Sequence, residues 1–101
     1  GFDWPDARSV LDKIAEETEE LKEALDEGEK DHIQEEFGDL LFVLANLSRH
    51  LDIDPESALR RANEKFIRRF KHIEKTFSDR GESLKDASLD AMEAVWDEAK
   101  A

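Results

Sequence analysis

Cysteine is absent from these 101 residues. Its absence excludes a disulfide framework and a thiolate metal site, and it points to an intracellular, cytoplasmic home. Long hydrophobic runs are missing as well. The longest, Leu40 to Ala45, falls far short of the ~20 apolar residues that cross a bilayer, so no membrane partner is expected. No signal peptide is visible, and the chain opens at Gly1 rather than methionine, which reads as a fragment or a processed form. Positive charge is scarce: 15 Lys and Arg stand against 27 Asp and Glu, for a formal net charge of −12. Such a balance excludes binding of a long nucleic acid through a broad basic face. Also lacking are a glycine-rich phosphate loop and a nucleophile elbow. A di-iron bundle needs two Glu-x-x-His motifs, and only Glu29 to His32 fits one, at a helix start.

What is present is helical periodicity. The length suits one domain, residues 1–101, small enough that oligomerisation helps it bury a core. A first helix is predicted from about Pro5 to Glu27, with Leu11, Ile14, Thr18, Leu21 and Leu25 at helical spacing and Gly28 as its stop. A second runs from about Asp31 to Leu51, with Asp31 and Gln34 in a capping-box pattern. The third opens at Asp54-Pro55-Glu56 and carries Leu59, Ala62, Phe66, Phe70, Ile73 and Phe77 on one face. Ser78 to Asp86 reads as a loop around Gly81. A fourth helix starts at the cap Ser88 and carries Leu89, Met92, Val95 and Trp96. The expected class is all-α, an antiparallel four-helix bundle. The second helix is apolar almost all round, which places it centrally or in a subunit interface. The expectation is a homo-oligomer, most simply a two-fold dimer.

Two pairs of carboxylates share one spacing: Glu17 with Glu20, and Glu36 with Asp39. Three residues apart on a helix, the members of each pair point the same way. Two such helices side by side set four oxygen ligands around a point, the arrangement that Mg²⁺, or Mn²⁺ in its place, prefers. On the helical wheel Glu17 and Glu36 lie on the shoulders of apolar stripes centred on Leu11, Thr18 and Leu25, and on Ile33, Leu44 and Leu51. Asp39 and Asn46 follow Glu36 along one line. Asp39 interrupts an apolar run beside Gly38, whose place inside a helix suggests close approach by another helix or a ligand. The third helix is locally basic, and Lys65 and Arg69 occupy a comparable shoulder, one turn apart. A cationic helix near a metal is what a polyphosphate requires.

Plainer readings stand beside these. Acidic runs on helices are ordinarily solvated faces, and Glu36 and Asp39 can equally form a buried ion pair with Lys65 or Arg69 without metal. Asn46 can serve a core polar network. His32 and His50 read as helix-terminus residues and His72 as a solvated one. Trp96 reads as core and Lys100 as a frayed end.

The residues also carry a resemblance. Glu16-Glu17-x-x-Glu20 followed by Glu36-x-x-Asp39 resembles the EExxE…ExxD signature of the MazG-type nucleoside triphosphate pyrophosphohydrolases. GFDWPD, EEFGDLLFVLANLSRHL, DPESALRRANEKFIRRF and MEAVWDEAK extend the likeness over essentially the whole chain. The resemblance implies an all-α, dimeric enzyme that cleaves NTPs and dNTPs to the monophosphate and pyrophosphate with Mg²⁺. It implies metal ligands at Glu17, Glu20, Glu36 and Asp39, and phosphate contacts at Lys65 and Arg69. Trp96 and Lys100 complete the nucleotide site in that reading. The family's usual helix ahead of GFDWPD is missing from this sequence, which bears on dimer packing and the base pocket. The competing classes are a non-enzymatic helical interaction module and a related enzyme acting on another phosphorylated nucleotide.

Overall fold

The computed structural model describes residues 1–100. Four α-helices follow one another: α1 (Ala7–Glu27), α2 (Lys30–His50), α3 (Pro55–Asp79) and α4 (Leu89–Lys100), with one 3₁₀ turn at Leu84–Asp86. No strand occurs among the described residues, so the all-α class stands. No helix among them is long and apolar enough to cross a membrane. The chain divides into two compact units, Gly1–Pro55 and Glu56–Ala101.

The first unit is a helical hairpin, α1 against α2. Helix α1 begins two residues later than Pro5 suggests. The reason is local: Asp6 holds an extended conformation, and its Oδ1 accepts from the Ser9 backbone N–H and from the Ser9 hydroxyl, both at 2.8 Å. Those bonds hold the Asp6 carboxyl below the usual carboxylate range. At the other end Gly28 takes φ +77°, a left-handed value that glycine adopts without strain, and its N–H reaches Ala24 O at 3.1 Å. Helix α2 starts at Lys30 behind Glu29, which makes no side-chain cap. The capping box expected at Asp31 is not formed, and Asp31 lies in the first turn, where its charge suits the dipole.

The buried line of α1 is Val10, Glu17 and Ala24. It is displaced by one residue, about 100° of helix, from the stripe expected on Leu11, Thr18 and Leu25. Leu11 and Leu25 are more than half exposed. Glu17 therefore lies in the middle of the packed face rather than on its shoulder. On α2 only Val43 is fully buried, and Phe37, Leu41, Phe42 and Leu44 remain open to solvent. The apolar character of α2 is thus not used up within the hairpin.

In the second unit Ile73 and Phe77 of α3 close on Val95 of α4, with Leu84, Ala87, Ala91, Met92 and Trp96 packed around them. Helix α3 continues through Ser78 to Asp79, further than its sequence suggests. Gly81 at φ +71° then reverses the chain, with Glu82 N–H bonded to Phe77 O at 2.9 Å. Ser88 caps α4 as expected, its Oγ accepting from Ala91 N–H at 3.1 Å.

Candidate metal centre

Three carboxylates converge inside the α1–α2 hairpin. Glu17, Glu20 and Glu36 each place one oxygen within 4.8 Å of the others. Glu17 and Glu20 share the inner face of α1 because they are three residues apart, and the two-residue connection at Gly28-Glu29 folds Glu36 back against them. Glu17 is 6% exposed, and Glu20 and Glu36 are half-buried.

Each of the two most enclosed acids is held at one oxygen by a base on its own helix. Lys13 Nζ lies 3.2 Å from Glu17 Oε1 and 3.2 Å from Glu16 Oε1. These contacts, Glu17's first, raise the Lys13 pKa. His32 Nε2 lies 3.3 Å from Glu36 Oε1, while its Nδ1 lies 2.9 Å from Glu27 Oε2 at the end of α1. The ring thus lies between two carboxylates, which favour its protonated form. Glu27 is the chief cause of its raised pKa, with Glu36 adding to it against the cost of burial.

The other oxygen of each, Glu17 Oε2 and Glu36 Oε2, is buried without a hydrogen-bond partner. A buried acceptor left unsatisfied costs about 1–3 kcal/mol. Glu20 feels the crowding directly: the charge of Glu17 first, then burial and the charge of Glu36, push its pKa up. Two orphaned oxygens and a third carboxylate in mutual repulsion fit a hard divalent cation, and the all-oxygen donor set suits Mg²⁺ or Mn²⁺.

The structure brings together three of the four expected acids. Asp39 follows Glu36 by one turn on α2 but is exposed and stands outside the cluster. A Cβ added at Gly38 would meet nothing within 4 Å, so no close approach occurs there within the hairpin. Asn46 lies about 15 Å further along α2 than Glu36, where its Nδ2 donates to Asp3 Oδ1 at 3.3 Å and its Oδ1 accepts from Arg49 at 2.8 Å.

The remaining candidates lie in the second unit. Lys65 and Lys100 are exposed, and Arg69 and Trp96 are half-buried. The Arg69 guanidinium sits 5.4 Å from the centre of the Trp96 ring, and its Nε is buried without a hydrogen-bond partner. Phe66 packs against the same indole at 5.5 Å, and the two rings border a hollow of about 330 Å³ with Phe70, Met92 and Glu93. His72 stands 3.7 Å from Glu98 as a part-exposed pair.

Lys13 and His32 are the residues that sequence reasoning missed. The signal was there, since each base precedes its acid by four residues on one helix.

The family profile for the MazG nucleotide pyrophosphohydrolase domain matches residues 6–74. A Thermotoga maritima protein named nucleoside triphosphate pyrophosphohydrolase/pyrophosphatase MazG is 49% identical over 99% of this chain and 38% of its own length. An Escherichia coli K12 protein named nucleoside triphosphate pyrophosphohydrolase is 42% identical over 99% of this chain and 39% of its own. The Bacillus subtilis protein YabN, described as uncharacterized, is 48% identical over 68% of this chain. The chain spans well under half the length of these curated relatives.

Proposed function

The chain belongs to the MazG nucleotide pyrophosphohydrolase domain family, and on that premise we propose that it is a single catalytic domain hydrolysing nucleoside triphosphates to the monophosphate and pyrophosphate with Mg²⁺. The observation that carries this reading is the pair of buried, unpartnered oxygens on Glu17 and Glu36 beside Glu20. When bound, the cation supplies neutralisation of the triphosphate and acidification of a water near it.

The protein's own groups do the rest. Glu17, Glu20 and Glu36 would hold the cation, and Asp39, one turn beyond Glu36, would extend the acid face toward it. One of the glutamates takes the proton of the water that attacks at the α–β linkage. Lys65 and Arg69 draw the phosphate oxygens and offset the charge that grows on them. Trp96 offers an indole face to the base, and Lys100 lies one turn further along α4. A nucleotide substrate and Mg²⁺ locate such an activity in the cytoplasm.

Two copies complete the enzyme in this reading. The exposed Phe37, Leu41 and Leu44 on one face of α2, with Phe42 on its flank, supply the apolar surface that a two-fold partner covers.

A pyrophosphate-release assay with an NTP panel and Mg²⁺ tests the reading. The expected result is turnover by the wild type and its loss in Glu17→Ala and Glu36→Ala. Undiminished turnover in both variants overturns the metal assignment. A helical interaction module is the second reading, favoured by the Lys13–Glu17 and His32–Glu36 pairs, which need no metal. It leaves the two orphaned oxygens unexplained, and it predicts no calorimetric response to Mn²⁺.

A further inference from the structure

We infer that Lys13 and His32 are positioning residues of the metal centre, each fixing one carboxylate so that a single chosen oxygen faces the cation. The inference rests on the reading of Glu17 and Glu36 as ligands and concerns what holds those ligands in place.

The geometry is the same on both helices. Lys13 stands four residues before Glu17 and His32 four before Glu36, so each base lies on the N-terminal side of its acid and over the same face. Each base takes Oε1, at 3.2 and 3.3 Å. Each leaves Oε2 buried and without a partner. A free glutamate side chain rotates about its terminal bond and exchanges its oxygens. Tethering one of them removes that freedom, so the ligand arrives ordered and monodentate. The paired base also offsets part of the repulsion among three carboxylates whose oxygens lie within 4.8 Å.

His32 is itself held. Its Nδ1 is tied to Glu27 Oε2 at 2.9 Å, so the ring bridges the last residue of α1 to the first turn of α2. The chain Glu27–His32–Glu36 thus fixes the ring before it fixes the acid. This is the arrangement by which outer groups hold metal-ligating carboxylates elsewhere, and losing such a partner weakens metal affinity about 10- to 100-fold. Lys13 has Glu16 in the corresponding place.

The test is calorimetric titration of the intact chain with Mn²⁺ alone, without nucleotide, for wild type, His32→Ala, His32→Gln and Lys13→Met. Wild type binds. His32→Ala and Lys13→Met bind about 10- to 100-fold more weakly, and His32→Gln, whose amide still donates to Glu36, recovers most of the affinity. Circular dichroism on the same samples reports whether the hairpin remains folded. If His32→Ala unfolds, Lys13→Met on the other helix carries the test. Wild-type Mn²⁺ affinity in folded His32→Ala or Lys13→Met overturns the inference and leaves the metal centre standing. Absence of Mn²⁺ binding by the wild type overturns both.

Discussion

Asp3 and Arg49 form an ion pair across 46 residues of sequence, pinning the N-terminal segment to the last turn of α2. Asn46 and His50 join the same carboxylate, and Trp4 N–H closes on it at 2.8 Å. The Arg49 guanidinium is the main reason the Asp3 carboxyl sits far below the usual carboxylate range.

The sign of its pH dependence follows. A carboxyl whose folded pKa is depressed stabilises the fold above its unfolded value, and that contribution fades as pH falls through the folded one. Asp3→Asn is therefore less stable than wild type from neutrality down to about pH 4, the unfolded carboxylate range. The gap closes only in stronger acid. Urea midpoints of the two proteins from pH 7 to pH 2 measure it, and a gap that widens on acidification contradicts the assignment.

Metal removal has a direction too. At a Mn²⁺ concentration of about a hundred times Kd, the fold gains about 2.7 kcal/mol, and a chelator returns it to the starting stability. Glu36→Gln abolishes the response. Because it removes one charge from the crowded trio, it leaves the metal-free protein at least as stable as wild type. Thermal melts with and without Mn²⁺ read both effects.

Gly28 and Gly38 separate two kinds of glycine. Gly28→Ala forces a Cβ into the left-handed region at φ +77°, costing about 1–2 kcal/mol. Gly38 has ordinary helical geometry and open space around it. Gly38→Ala gains up to about 1 kcal/mol in the isolated chain. Chemical denaturation at low protein concentration reports both.

In the second unit Phe77 is 1% exposed at the centre of the core. Phe77→Ala removes its packing against Ile73 and Val95 and costs about 3–5 kcal/mol. Equilibrium denaturation followed by circular dichroism gives the value.

The proposed self-association draws on the open apolar side chains of α2. Phe42 is 69% exposed, the most open of the large apolar side chains within that helix. Phe42→Asp shifts a dimer to monomer in sedimentation velocity without loss of helicity. A wild type that sediments as a monomer at all concentrations contradicts the proposed pairing.

The helices were legible because their ends carry local chemistry. Pro55 and Ser88 open α3 and α4, and Gly28 closes α1, each by conformational preference or a cap contained within a few residues. The buried line of α1 was misread by one position. Leu11 and Leu25 outrank Glu17 on any hydropathy scale, yet packing with α2 turned Val10, Glu17 and Ala24 inward. Periodicity gives the spacing of a face but leaves its phase to the neighbour. Asp39 was placed among the buried acids because α2 is apolar on all sides. In a single chain it is exposed, since composition does not distinguish burial within a molecule from burial between molecules. Glu17, Glu20 and Glu36 were legible from spacing. His32 was not, because its position near a helix start suggested a terminus residue and hid its i,i+4 relation to Glu36.

The two-residue connection at Gly28-Glu29 has a kinetic consequence. The three acids are separated in sequence by little more than that turn and the half-helices flanking it, so the carboxylate cluster is built from local contacts. Closing so short a loop costs little entropy and belongs to the fast events of folding. The same event drives like charges together, so hairpin formation is opposed electrostatically from the outset. Monovalent salt at 0.1 M, with a Debye length of about 10 Å, screens charges this close only weakly, whereas a divalent cation held between them would offset the repulsion directly. In the proposed reading the turn makes cation capture part of how the hairpin forms.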